Sequence, residues 1–68
     1  MNYVNIETVH GNKYHIWFAP LHRSELDALA RVVWMIATRP EAIGWRTVKS
    51  LTVSRQRRVG SVDITDKL

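Results

Sequence analysis

Ser24-Glu25-Leu26-Asp27-Ala28-Leu29-Ala30-Arg31-Val32-Val33-Trp34-Met35-Ile36-Ala37-Thr38-Arg39-Pro40 is the stretch whose reading decides the fold. The Ser24 hydroxyl can accept a hydrogen bond from the free amides of a helix start, and Glu25 and Asp27 lie in the first turn, where the helix dipole favours negative charge. Leu26, Leu29, Ala30, Val33, Ile36 and Ala37 follow at spacings of three and four, which predicts one apolar face. Arg39-Pro40 ends the helix, because proline lacks an amide hydrogen and disfavours helical geometry in the residue before it. Thr38 with Glu41 reads as a second capping box, with Pro40 to Ile43 as one further helical turn and Gly44 as its stop. Val32, Trp34 and Met35 widen the apolar surface beyond the stripe, so the helix is either deeply buried or carries a second contact face.

On the N-terminal side the pattern changes to a period of two. Val4, Ile6 and Thr8 alternate with Tyr3, Asn5, Glu7 and Val9; His10-Gly11-Asn12 reads as a turn; Tyr14, Ile16 and Phe18 then alternate with His15 and Trp17 until Pro20. A hairpin is the simplest connection. On the C-terminal side Arg46 to Ser54 is rich in β-branched residues, with Val48 and Leu51 breaking the alternation in a way that suggests a bulge. Arg55 to Arg58 reads as a loop and Val59 to Thr65 as a short closing strand. The order ββαββ predicts an α+β fold: a four-stranded antiparallel sheet with one helix packed on one face, all within a single domain spanning residues 1–68. The other sheet face is expected to be wet or to hold a partner.

Sixty-eight residues allow a small core and no second lobe. Cysteine is absent, which removes disulfides, thiolate catalysis and sulfur-ligated zinc, and fits a reducing cytoplasm. Met1 to Glu7 lacks the basic and apolar stretches of a signal peptide, and the run from Val32 to Ala37 is far shorter than the roughly 20 residues that span a membrane. A cytoplasmic protein without membrane contact is therefore expected.

Ten Lys or Arg against six Asp or Glu give a net charge of +4, unevenly distributed. Between Glu41 and Asp63 there is no acid, and that interval carries Arg46, Lys49, Arg55, Arg57 and Arg58. Such a cluster excludes an acidic mimic of DNA and favours a negatively charged partner, because guanidinium groups pair bidentately with phosphate or carboxylate. The aromatic residues are too many for so small a core to enclose them all. Trp17, on the sheet face opposite Ile6 and Ile16, and Trp34, off the helix stripe, are the expected surface anchors, with Trp34 covered by a partner or by a second copy.

The same inventory argues against chemistry. His10, His15 and His22 fall on a turn, a strand and a loop without a convergent carboxylate pair, so no metal is expected. Gly11, Gly44 and Gly60 are isolated and make no phosphate loop, no nucleophile with its base is recognisable, and neither catalysis nor a cofactor is expected.

In size, cysteine-free composition and ββαββ layout the chain resembles small phage-encoded inhibitors of host machinery, including anti-CRISPR proteins and phage inhibitors of host RNA polymerase. The resemblance covers the whole chain and rests on layout, without a motif. It implies a compact, non-enzymatic protein that blocks a host protein or protein–nucleic-acid complex in the host cytoplasm, here through Arg46, Lys49, Arg55, Arg57, Arg58, Trp17 and Trp34. The alternative is a small basic module that binds DNA or RNA directly with the same residues.

Overall fold

The computed structural model of the chain describes residues 2–18 and 24–68, and for Asn2 and Phe18 the backbone alone. The expected strand stop at Pro20 and the candidate ligand His22 lie outside the described residues. Strand β1 (Asn2–Thr8) turns back into β2 (Lys13–Phe18), helix α1 spans Glu25–Thr38, and β3 (Val48–Ser54) and a two-residue β4 (Val62–Asp63) follow. The β1–β2 turn depends on Gly11, whose φ of +82° is costly for a residue with a Cβ.

The α+β class and the ββαββ order stand, but the sheet is mixed and its strands lie in the order β3-β1-β2-β4. β1 pairs antiparallel with both β2 and β3, whereas β4 pairs parallel with β2 through Tyr14↔Val62 and His15↔Asp63. This corrects the all-antiparallel expectation. The reason is that β3 does not turn into a hairpin: α1 carries the chain back to the free edge of β1, which leaves only the far edge, beyond β2, for the last strand. β3 and β4 therefore run in the same direction at opposite edges, three strand spacings or about 14 Å apart. The expected bulge is present, since Glu7 pairs with Ser50 but Thr8 pairs with Val48, leaving Lys49 as the extra residue.

Ser24 caps α1 as its chemistry suggests, its hydroxyl accepting from the Asp27 amide at 3.2 Å. The helix ends before Pro40, and Ala42 N–H bonds to the Arg39 carbonyl in a single turn that does not continue into a second helix. The buried face, however, is Ala28, Val32 and Ile36, flanked by Leu29. The expected stripe is thus displaced by roughly a third of a turn, and Leu26 is left 76% exposed. Both faces are apolar, so period alone does not choose between them. The compact Ala28 and Val32 let the helix lie close to Val4, Ile6 and Ile16, with which they form the core, joined by Ile43 and Ile64.

Candidate binding surfaces

Because β3 and β4 sit at opposite edges, residues 55–61 must cross the sheet, and α1 already occupies one face. They cross the other. The segment expected to be a basic loop between two antiparallel strands is instead a strap, and the face expected to be wet or to hold a partner is covered in its centre by the chain itself: Asn5 and His15, both on that face, are 6% and 2% exposed.

The strap is held by polar side chains projecting from β1 and β2 and by two of its own, Arg58 and Ser61. Asn5 uses its amide as a strand would use its backbone, donating from Nδ2 to the Gln56 carbonyl at 3.2 Å and accepting from Arg58 N–H at Oδ1 at 3.0 Å. Glu7, two residues along and on the same face, accepts from Arg58 Nη1 at 2.6 Å and faces Lys49 Nζ at 3.6 Å. Near the end of the strap, Ser61 Oγ donates to the Arg58 carbonyl at 2.6 Å and lies 2.7 Å from His15 Nδ1. A hydroxyl has one hydrogen to donate, and with that hydrogen directed to the Arg58 carbonyl the lone pairs of Ser61 Oγ are what face His15. Gly60, with φ at +82°, lets the chain turn there before β4 begins. That turn, together with Val59 at 93% exposure, is why the expected strand from Val59 to Thr65 shrinks to Val62–Asp63.

His15, Ser61 and Asp63 are the residue types of a hydrolytic triad, and no local pattern marks that they would meet. In this arrangement the Ser61 hydroxyl donates to the Arg58 carbonyl, with Nδ1 of His15 as its other neighbour. His15 Nε2 is 3.8 Å from Asp63 Oδ2, beyond hydrogen-bond distance. The His15 ring packs against Tyr3 at a steep angle, 74° between ring planes, with centroids 5.6 Å apart. Asp63 accepts from the Thr65 hydroxyl at 2.6 Å and from the Thr65 amide at 2.9 Å, and these bonds hold its carboxyl below the ordinary carboxylate value. Among the described residues no three potential metal ligands converge; His10 is exposed in the β1–β2 turn.

The seven anticipated contact residues do not form one surface. Arg55 and Arg57 are exposed on the strap, and Trp17, 38% exposed, projects from the same side of the sheet. Arg58 is half-buried and tied to Glu7, which makes it an anchor of the strap. Lys49 shares Glu7 from the bulge, and Arg46 lies in a 3-10 turn, Trp45–Thr47, beside the β1–β2 turn, where Thr47 accepts from Val9 N–H. Trp34 stands on the far side of the molecule, 62% exposed on the outer face of α1, as its position off the stripe suggested. What the sequence reading missed was Asn5, Glu7, His15 and Ser61. The available signal was the alternation itself, which aligns three polar residues with the solvent-side positions of the two central strands.

Among the described residues no helix is long and apolar enough to cross a membrane. No protein-family profile matches the chain, and neither the curated proteins nor the solved structures show a significant similarity to it.

Proposed function

We propose that this chain is a small non-enzymatic binding protein that blocks a nucleic-acid-handling complex, in the manner of the phage-encoded inhibitors its layout resembles, with the strap as its contact surface. The observation that carries the reading is the strap's anchoring. Asn5 and Ser61 bond its backbone and Glu7 holds the Arg58 side chain, so Arg55 and Arg57 stand exposed on a segment anchored between them. Preorganisation of this kind lowers the entropic cost of docking. Trp17, exposed on the same side of the sheet, supplies an aromatic anchor on that face.

A protein partner is favoured over direct DNA or RNA binding by what the strap covers. Open sheets that bind single strands use exposed aromatic rings as stacking platforms. Here Tyr3 is half-buried against His15, and the strap lies over the centre of that face. The test is capture of partners from a bacterial lysate, with and without nuclease, by the wild type and by an Arg55→Ala/Arg57→Ala variant. A protein retained after nuclease and lost with the double variant supports the reading. Capture that disappears with nuclease, and weakens steeply with salt, establishes the nucleic-acid module instead.

A further inference from the structure

The outer face of α1 remains unaccounted for by the strap. Leu26, Ala30 and Trp34, four residues apart, form a ridge that points away from the core; Leu26 is 76% and Trp34 62% exposed. A groove beside the ridge is lined by Asp27, Ala30, Arg31 and Trp34. We propose that this ridge is a self-association surface and that its occupant is α1 of a second copy of this chain.

Three features select a second copy. First, the ridge is large, small, large, and symmetric about Ala30. Ridges of residues four apart interdigitate at a crossing angle of about −50°, with contact concentrated at the crossing point. A twofold axis at Ala30 brings the two short side chains together where the helices come closest, and sets Trp34 of each copy against Leu26 of the other. Second, the groove carries opposite charges one turn apart on one flank of the ridge. Reversing the helix direction about that axis brings Asp27 of one copy close to Arg31 of the other, twice over, against a single approach of the two Arg31 side chains, so attraction outnumbers repulsion across the contact. Third, a chain of net charge +4 repels its own copy, and α1 does not add to that repulsion: across Glu25–Thr38 two acids stand against one base, Arg31. The exposed arginines of the strap lie on the opposite side of the sheet and stay clear of the contact.

The contact is small. A 14-residue helix is about 21 Å long, and a single ridge crossing buries less than the roughly 1,200 Å² of a standard stable interface. The dimer is therefore expected to dissociate on dilution, with both states populated between micromolar and millimolar chain concentration.

Sedimentation equilibrium of the full chain over that range, in low and moderate salt, tests the proposal. The wild type is expected to move from monomer to dimer, and in a variant whose only tryptophan is Trp34 the emission is expected to shift to the blue as the dimer forms. Ala30→Glu, which places two carboxylates at the crossing point, is expected to weaken association at least tenfold while the circular dichroism spectrum and thermal midpoint stay as they are. Trp34→Gln is the second variant, should Ala30→Glu disturb the helix. Asp27→Arg and Arg31→Asp are each expected to weaken association, and the two together to restore it. A monomer at millimolar concentration overturns the proposal and reassigns the ridge to a different partner. A dimer unaffected by both Ala30→Glu and Trp34→Gln also overturns it, because another face must then form the contact.

Discussion

The two faces of the sheet are covered by different means. On one, α1 lays Ala28, Val32 and Ile36 over Val4, Ile6 and Ile16, a contact made of area, without direction, to which many small dispersion gains contribute. On the other, seven residues cross the strands with little apolar material of their own, and are held by hydrogen bonds from Asn5, Glu7 and Ser61, with His15 buried beneath them. Such bonds are directional and modest in net energy, but costly when one partner is removed. The first face should therefore decide whether the molecule folds, and the second should decide whether the strap stays in place.

The largest effect is expected on the helix face. Ile36→Ala removes a side chain with no exposure and should lower stability by about 2–5 kcal/mol, read from the urea midpoint at an unchanged slope. Leu26→Ala, one of the residues the periodicity favours, should change stability by less than about 0.5 kcal/mol because Leu26 already stands in water. Equal losses at the two positions would show that the helix is rotated from the face described above.

On the strap face Asn5→Ala deletes two hydrogen bonds together and leaves the Gln56 carbonyl and the Arg58 amide without their partner. A loss of about 1–3 kcal/mol is expected. Its distribution separates the two faces more sharply than its size: amide exchange should accelerate first over residues 55–61 while the amides of α1 keep their protection. Uniform acceleration would make the strap part of the global folding unit.

The contrast also explains what the sequence could reveal. Val4, Ile6 and Ile16 on one side of a period-two pattern, and the N-cap at Ser24 with the stop at Pro40, are local signals, and each marks a feature that is present. The direction of β4 is not local. It depends on whether β3 pairs with β1 or with its sequence neighbour, and nothing between Arg55 and Ser61 encodes that choice except the ability of Asn5 and Glu7, some fifty residues earlier, to receive the segment. The basic cluster was legible as charge but not as geometry, so Arg58 read as a contact residue although Glu7 engages it. The rotation of α1 was ambiguous for a different reason: two apolar stripes share one helix, and burial favours the shorter side chains.

A smaller effect is expected from the strap's ion pair. Arg58→Ala removes the 2.6 Å contact with Glu7, in which the side chains are 37% and 24% exposed. Partial solvation limits the loss to about 1 kcal/mol or less, and Lys49, already 3.6 Å from Glu7, offsets some of it. Arg55→Ala, at an exposed position, should leave the urea midpoint within error. If Arg58→Ala proves as neutral as Arg55→Ala, the strap is held by Asn5 and Ser61 alone, and Arg58 returns to the set of contact residues.

The smallest effect concerns pH. The Thr65 hydroxyl lowers the Asp63 pKa most, followed by the Thr65 amide; burial opposes them slightly, and His15 and Arg57 nearby add to the lowering. A carboxyl depressed in the folded state binds its proton more readily when unfolded, so Asp63 contributes stability above the ordinary carboxylate range and loses that contribution as pH falls through its depressed value. The Asp63 side chain is 59% exposed, so solvent screens the effect and only a shallow slope is expected. Asp63→Asn should lower stability slightly at neutral pH and flatten the acid limb of the stability profile between the ordinary carboxylate range and the depressed value. Thr65→Val should flatten the same limb with Asp63 intact, because it removes the largest source of the depression. An acid limb unchanged in both variants would show that Asp63 does not govern the acid sensitivity.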